Sequence, residues 1–158
     1  TLSSSSAASD VYKRQKQDDY LAPVVFLACS GAVIPEVLAA AKQLAEEGVI
    51  AHVIDITSLG RVFGGWQRTL KQGIRTASTP SLPGVLRTTF TEKAPIVSIH
   101  DGSSHAMAWL GSALGMPQVA MGVDSFGQSG NIPDLYAMND LNSESIVNGA
   151  LAALSLNS

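Results

Sequence analysis

Val24-Val25-Phe26-Leu27-Ala28-Cys29 is an uninterrupted apolar run, closed by Ser30-Gly31. A strand with one wet face alternates apolar and polar residues. A run that is apolar at every position must be covered on both faces, as in the middle of a parallel sheet. Parallel neighbours need a crossover helix, and the next segment supplies one. It has Pro35 near the first turn and an apolar stripe at Ile34, Val37, Leu38, Ala41, Leu44 and Ala45. Lys42 and Glu46 lie opposite, and Gly48 is the stop. Val49 to Ile56 then reads as a second strand, completing a β-α-β unit with an expected right-handed crossover.

The pattern continues. Ser58 is placed to cap a helix that turns Val62, Phe63, Trp66 and Leu70 inward, weakened by Gly64-Gly65. Ile74 to Ala94, with Pro80, Pro83 and Gly84, reads mainly as a connector with a helical turn around Leu82 to Leu86. Pro95 to His100 is the third strand. Ser103 or Ser104 caps a helix carrying Ala106, Trp109, Leu110 and Ala113 inward, ended by Gly115 and Pro117. Gln118 to Val123 is the fourth strand, and a short helix is expected near Ile132 to Met138. Asn142 caps the last helix, with Leu141 and Ile146 as a hydrophobic staple and a stripe at Ile146, Val147, Ala150, Leu151 and Leu154. The predicted fold is α/β, a three-layer αβα sandwich around a mainly parallel sheet.

Composition narrows the function. With 158 residues, 46% hydrophobic and 15% charged, the chain can bury a real core. No apolar stretch approaches the roughly 20 residues of a membrane-spanning helix. The formal charge is −3 and basic residues are scattered singly, so neither nucleic acid nor an anionic membrane is an expected partner. Cys29, the single cysteine, excludes an internal disulfide and reads as a buried inert thiol, as in a cytoplasmic protein.

In a parallel sheet, chemistry gathers where loops leave the carboxyl ends of the strands. That edge would display Ser30, Gly31, Asp55, Ser58, Asp101 to His105, and Asp124 to Gly130. His105 near a helix start could serve as a general acid or base, or as a hydrogen-bonded histidine at a domain seam. His52 and His100 fall within strands and read as structural. Phe126-Gly127-Gln128-Ser129-Gly130 could form an anion nest ahead of a helix. Neither a G-x-G-x-x-G fingerprint nor a P-loop lysine occurs, metal-ligand spacing is absent, and so is G-x-S-x-G.

Thr1 to Gln15 (TLSSSSAASDVYKRQ) has serine runs and no apolar periodicity. From Ser5 onward it resembles the translation of a transposon-based sequencing adapter. The expected division is therefore an artefactual segment, 1–15, and one domain, 16–158.

Two stretches, Ile99 to Gly111 (IHDGSSHAMAWLG) and Met121 to Tyr136 (MGVDSFGQSGNIPDLY), resemble the carboxy-terminal domain of the transketolase superfamily. The likeness is closest to the homodimeric pyruvate dehydrogenase first component. It takes in Ala28 to Gly31 and Ile56 to Ser58, covers Tyr20 to Leu154, and is loose over 74–94. It implies a fragment of a thiamine-diphosphate-dependent 2-oxo acid dehydrogenase, which decarboxylates its substrate and passes the acyl group to a lipoyl carrier. In such enzymes a Gly-Asp-Gly…Asn motif in an amino-terminal domain holds diphosphate and magnesium, and a glutamate in the middle domain activates the cofactor. Asp101-Gly102 followed by Asn131 imitates that spacing, but His100 replaces the leading glycine.

The resemblance thus implies no cofactor bound by this domain alone, with thiamine diphosphate and magnesium in the parent. Ser104, His105, Asp124, Phe126, Gly127, Gln128, Ser129 and Gly130 would form an interface rather than a catalytic site. Expected partners are the other domains of the subunit, a second subunit in a homodimer, and a lipoyl-bearing acyltransferase component. The alternatives are the same domain of a transketolase proper and a free-standing Rossmann-like module that binds an anion.

Overall fold

The structure, a computed structural model, describes residues 21–125 and 129–157. Four parallel strands form one sheet: β1 (Val24–Ser30), β2 (Ile50–Asp55), β3 (Ile96–His100) and β4 (Gln118–Met121), in the order β2-β1-β3-β4. The registers run Val24 to Cys29 against Ile50 to Asp55, Phe26 to Ser30 against Ile96 to His100, and Ile96 to Ile99 against Gln118 to Met121. The two central strands are therefore the two most apolar, as double coverage requires.

Period-two alternation along β1 divides the core between the faces. Val25, Leu27 and Cys29 join Val97 and Ile99 on one face, under α1 (Ile34–Glu46) and α6 (Ser143–Leu156). Phe26 and Ala28 join Ile96 on the other. There they meet Leu86 and Phe90 from α3 (Gly84–Thr89) and its end, and Met107, Leu110 and Leu114 around α4 (Leu110–Leu114). The Phe26 and Phe90 rings pack edge to face at 5.0 Å. Of the long helix α2 (Leu59–Thr76), only Gly73 is fully buried, while Leu59 and Val62 reach the core partly exposed.

Several expectations shift. α1 buries Val37, Ala40 and Leu44, with Ile34 and Ala41 half-buried; Leu38 is 54% exposed and Ala45 faces solvent. Val33 and Ala40 complete the inner stripe, which turns it away from Leu38. α2 runs through Gly64-Gly65 and on to Thr76, past the expected connector start. Phe63 stands on its outer side and stacks on Trp109 at 5.2 Å. Ser58 occupies the N-cap position of α2 without a side-chain capping bond. The single helix expected after β3 is a 3₁₀ turn at Ser104–Ala106, capped by Ser103, then the short α4; Met107, Leu110 and Leu114 point inward rather than Ala106 and Ala113. β4 stops at Met121. Short α5 (Ile132–Met138) and α6 lie where expected, and Asn142 caps α6 by accepting the Ser145 N–H at 2.9 Å.

Candidate functional site

β1 leads into α1 on one face and β3 into α4 on the other, so the chain diverges between their carboxyl ends. In a doubly wound sheet such a divergence leaves a crevice that ligands use. Here protein atoms bridge it. The Ala32 N–H donates to Asp101 Oδ2 at 2.7 Å, and Tyr136 Oη donates to the Ala32 carbonyl at 3.1 Å. His100 Nδ1 lies 3.0 Å from the Ser30 carbonyl, which can only accept, so that nitrogen carries the proton. It also lies 3.3 Å from Asp101 Oδ1. Gly31 has φ +94°, and a Cβ there would run into the Asp101 carboxylate, so backbone and space both require glycine. Burial pushes the Tyr136 phenol above its ordinary value, helped by the charges of Asp101 and Glu36.

A second network lies at the ends of β3 and β4. Asp124 Oδ2 accepts the Ser104 hydroxyl at 2.6 Å, and its Oδ1 accepts the Ser104 N–H at 2.9 Å and the Ser103 hydroxyl at 3.1 Å. These bonds hold the carboxyl below its usual range, the Ser104 hydroxyl first, then the Ser104 N–H, with Ser103 and the His105 charge adding less. Gly122 lets the two loops touch: a Cβ there would meet the Ser104 backbone nitrogen, and Val123 N–H bonds the Gly102 carbonyl at 2.8 Å.

His105 hangs at the end of this network. Its Nδ1 lies 3.3 Å from Ser103 Oγ. Ser103 has given its one proton to Asp124, so His105 Nδ1 donates to Ser103 Oγ and Nε2 is the ring's outward, exposed nitrogen. The order acid, serine, histidine reverses a nucleophilic triad, in which histidine sits between the other two and takes the serine proton. A serine whose proton is held by a carboxylate is not activated by the imidazole.

The expected edge is therefore not one site. Asp55 and Ser58 stand at the end of β2, beyond β1, and line a separate cavity on the face of α2 and α3. Ser129 and Gly130 are exposed ahead of Asn131, whose side chain caps α5 by accepting the Asp134 N–H at 3.0 Å. Phe126, Gly127 and Gln128 lie outside the described residues. His52 stands 3.2 Å from Glu92 on the edge strand, where both side chains are half exposed. Burial, then the Asp55 charge, raises the Cys29 thiol to about 11, which keeps it protonated and inert.

The residues do not fit a diphosphate-magnesium site. Asp101 is engaged with Ala32 and His100 and Asn131 with its own helix, and no group of three His, Cys, Asp or Glu among the described residues could hold a metal. Sequence reasoning missed Ser103 as the link between Asp124 and His105, and Tyr136 as a tie across the crevice. It also missed Glu36, which accepts the Ser143 N–H at 2.8 Å. Nothing local marks Tyr136 or Glu36, because their partners are about a hundred residues away.

In fold, the chain is similar to a split-gene transketolase described as an inactive β4 tetramer: 24% identity and a TM-score of 0.60 over 87% of this chain and 41% of that one. It is also similar to transketolase from Pichia stipitis in complexes with xylulose 5-phosphate and with sedoheptulose 7-phosphate. Each gives 17% identity and a TM-score of 0.56, over 89% of this chain and 17% of the other. The chain thus spans less than half the length of these structures. No curated protein matches it in sequence. The family model for the Transketolase-like TK C-terminal domain matches residues 11–142, most of the chain. By that match the chain belongs to the family of transketolase-like C-terminal domains.

Proposed function

We propose that this domain is the carboxy-terminal structural and interface domain of a thiamine-diphosphate-dependent enzyme, and that it performs no chemistry by itself. One observation carries the reading: the carboxylates at the ends of β3 and β4 are spent on neighbouring protein groups. Asp101 bridges the crevice, Asp124 ties Ser103 and Ser104, and neither carboxylate is left aimed at an empty position beside an activated nucleophile. The exposed His105 Nε2, Ser129 and Gly130, together with Phe126, Gly127 and Gln128, which the sequence groups with them, then serve as a seam to other domains or a second subunit. Such a domain braces the subunit, while the cofactor's chemistry belongs elsewhere in the parent.

For the parent we favour a 2-oxo acid dehydrogenase acting on pyruvate, on the combined likeness of the 99–111 and 121–136 stretches, working as a cytoplasmic homodimer that hands its acyl group to a lipoyl-bearing acyltransferase. The Phe126 to Ser129 part is shared with transketolases and does not choose between them. A second reading, a transketolase proper, draws on the solved structures named above. In that case a split gene would make this chain one subunit of the enzyme, inactive without its companion.

Calorimetry of the 158-residue chain with thiamine diphosphate and magnesium should show no binding, and micromolar magnesium-dependent binding would overturn the proposal. In the full-length enzyme, pyruvate-dependent acetyl transfer against ketol transfer separates the two parents. There, Phe126→Ala should weaken assembly, and His105→Ala should be milder. A His105→Ala enzyme that assembles and binds cofactor but does not turn over would make the histidine catalytic and the seam reading wrong.

A further inference from the structure

α2 is 18 residues long, yet only Gly73 among them is fully covered. It carries Arg61, Arg68, Lys71 and Arg75, all exposed, and no acidic residue, although the chain as a whole has a net charge of −3. Arg68, Lys71 and Arg75 follow one another at helical spacing and lie side by side on one face, and Arg61 extends that row toward the start of the helix. Like charges so placed repel, and Arg61 in the first turn also opposes the helix dipole. Among the described residues none of these four side chains makes a hydrogen bond or an ion pair. Apolar surface lies beside them. Ile74, 73% exposed, and Phe63, 37% exposed, share a row about three turns apart, with Phe63 resting on Trp109. In helical projection Lys71 stands between that row and the cationic one.

We propose that this face of α2 docks on an acidic surface with an apolar centre, carried by another domain of the parent enzyme. The proposal rests on the reading of this chain as one domain of a larger enzyme. Charge sets the sign of the partner. Unpaired cations with no anion among them attract carboxylates and repel a second α2, so a symmetric pairing of two copies through this helix is disfavoured. Phe63 and Ile74 set the apolar centre, and the arginines and Lys71 form its rim, as at protein contacts generally. The chain spans less than half of each solved structure it resembles, so most of a parent's surface lies outside it.

The test sets the full-length enzyme beside the 158-residue chain. Cys29 is buried, so Ile74→Cys places an accessible thiol on the outer side of α2. Its alkylation by iodoacetamide, read by mass spectrometry on the α2 peptide, should be about tenfold slower in the full-length enzyme, because the docked face must open first. Arg68→Glu with Arg75→Glu, both at exposed positions, should return that rate to the value in the 158-residue chain without lowering the chain's melting temperature. A carbodiimide, which joins an amine to a carboxylate in contact with it, should link Lys71 to an Asp or Glu outside this chain. The proposal is overturned if the thiol reacts equally fast in both proteins, if the double charge reversal leaves it shielded, or if Lys71 links only to residues 1–20 or to a second copy of this domain. Sedimentation of the 158-residue chain with phosphatidylglycerol vesicles, lost on Arg68→Glu with Arg75→Glu, would overturn it in favour of a lipid surface. A full-length gene with no further domain overturns both this proposal and the reading beneath it, whereas thiamine diphosphate binding by the 158-residue chain overturns only the earlier reading.

Discussion

The Asp124 carboxylate takes both the N–H and the hydroxyl of Ser104, at 2.9 and 2.6 Å. Two strands' loops are thereby fastened by one side chain, and the bond to Ser103 sets the tautomer of His105.

The first prediction follows from the charge of that carboxylate. Its pKa is lower folded than its ordinary value of 3.8, so the folded state favours the ionised form. Its stabilising contribution is fully present above about pH 4 and is lost as the pH falls through the folded value. Melting temperatures of the native chain and Asp124→Asn should differ by a constant amount from pH 7 to pH 5 and converge in more acid solution. A constant gap down to pH 2 would contradict the bonding described.

Gly122→Ala should be among the most damaging single-methyl additions. The new Cβ would press on the Ser104 nitrogen and lie 2.7 Å from the Gly102 carbonyl oxygen, both backbone atoms that cannot swing aside. A cost of about 3 kcal/mol, the upper end for overpacking, should lower the melting temperature by roughly 6–12 °C. Gly84→Ala, where a Cβ meets nothing within 4 Å, is the control and should change little.

Gln118 joins three elements through one amide. Its Oε1 accepts the Gly111 N–H at 2.6 Å, and its Nε2 donates to Ser98 Oγ at 2.7 Å and to the Met107 carbonyl at 2.9 Å. Gln118→Leu keeps the bulk and strands all three partners, so about 2–3 kcal/mol should be lost. Urea unfolding should show a lower midpoint with an unchanged slope.

Glu36, in the first turn of α1, accepts from Ser143 at the start of α6, while Asn142 caps the same helix by accepting from Ser145. The two act on different N–H groups. Glu36→Ala and Asn142→Ala should each cost about 1 kcal/mol, and the double variant should cost close to their sum. A coupling above about 0.5 kcal/mol would show that the caps are not independent.

Residue order alone was enough for the alternation of elements. The run Val24 to Cys29 demanded a doubly covered strand, and Asn142 with Leu141 and Ile146 marked the start of α6 within a residue, because caps and periodicity are local. The stretches around Gly102 and Gly122 likewise carried the family. What lay beyond local reach failed in a regular way. Leu38 was placed inward because helical spacing defines a stripe but not which side of it meets a neighbour, and α1 turns Ala40 to the core instead. α2 runs on past Leu70 into the expected connector and ends at Thr76, where Ala77 takes the left-handed conformation. The candidate edge looked like a single cluster in the sequence, but the strand order β2-β1-β3-β4 sends Asp55 to one end and Asp124 to the other. Only the tertiary fold brings Asp101 to Ala32, Tyr136 to the same turn and Glu36 to Ser143. Bonds between residues 69 to 107 positions apart leave no local pattern in a sequence, since each partner is chosen by the packing of whole elements rather than by its neighbours in the chain.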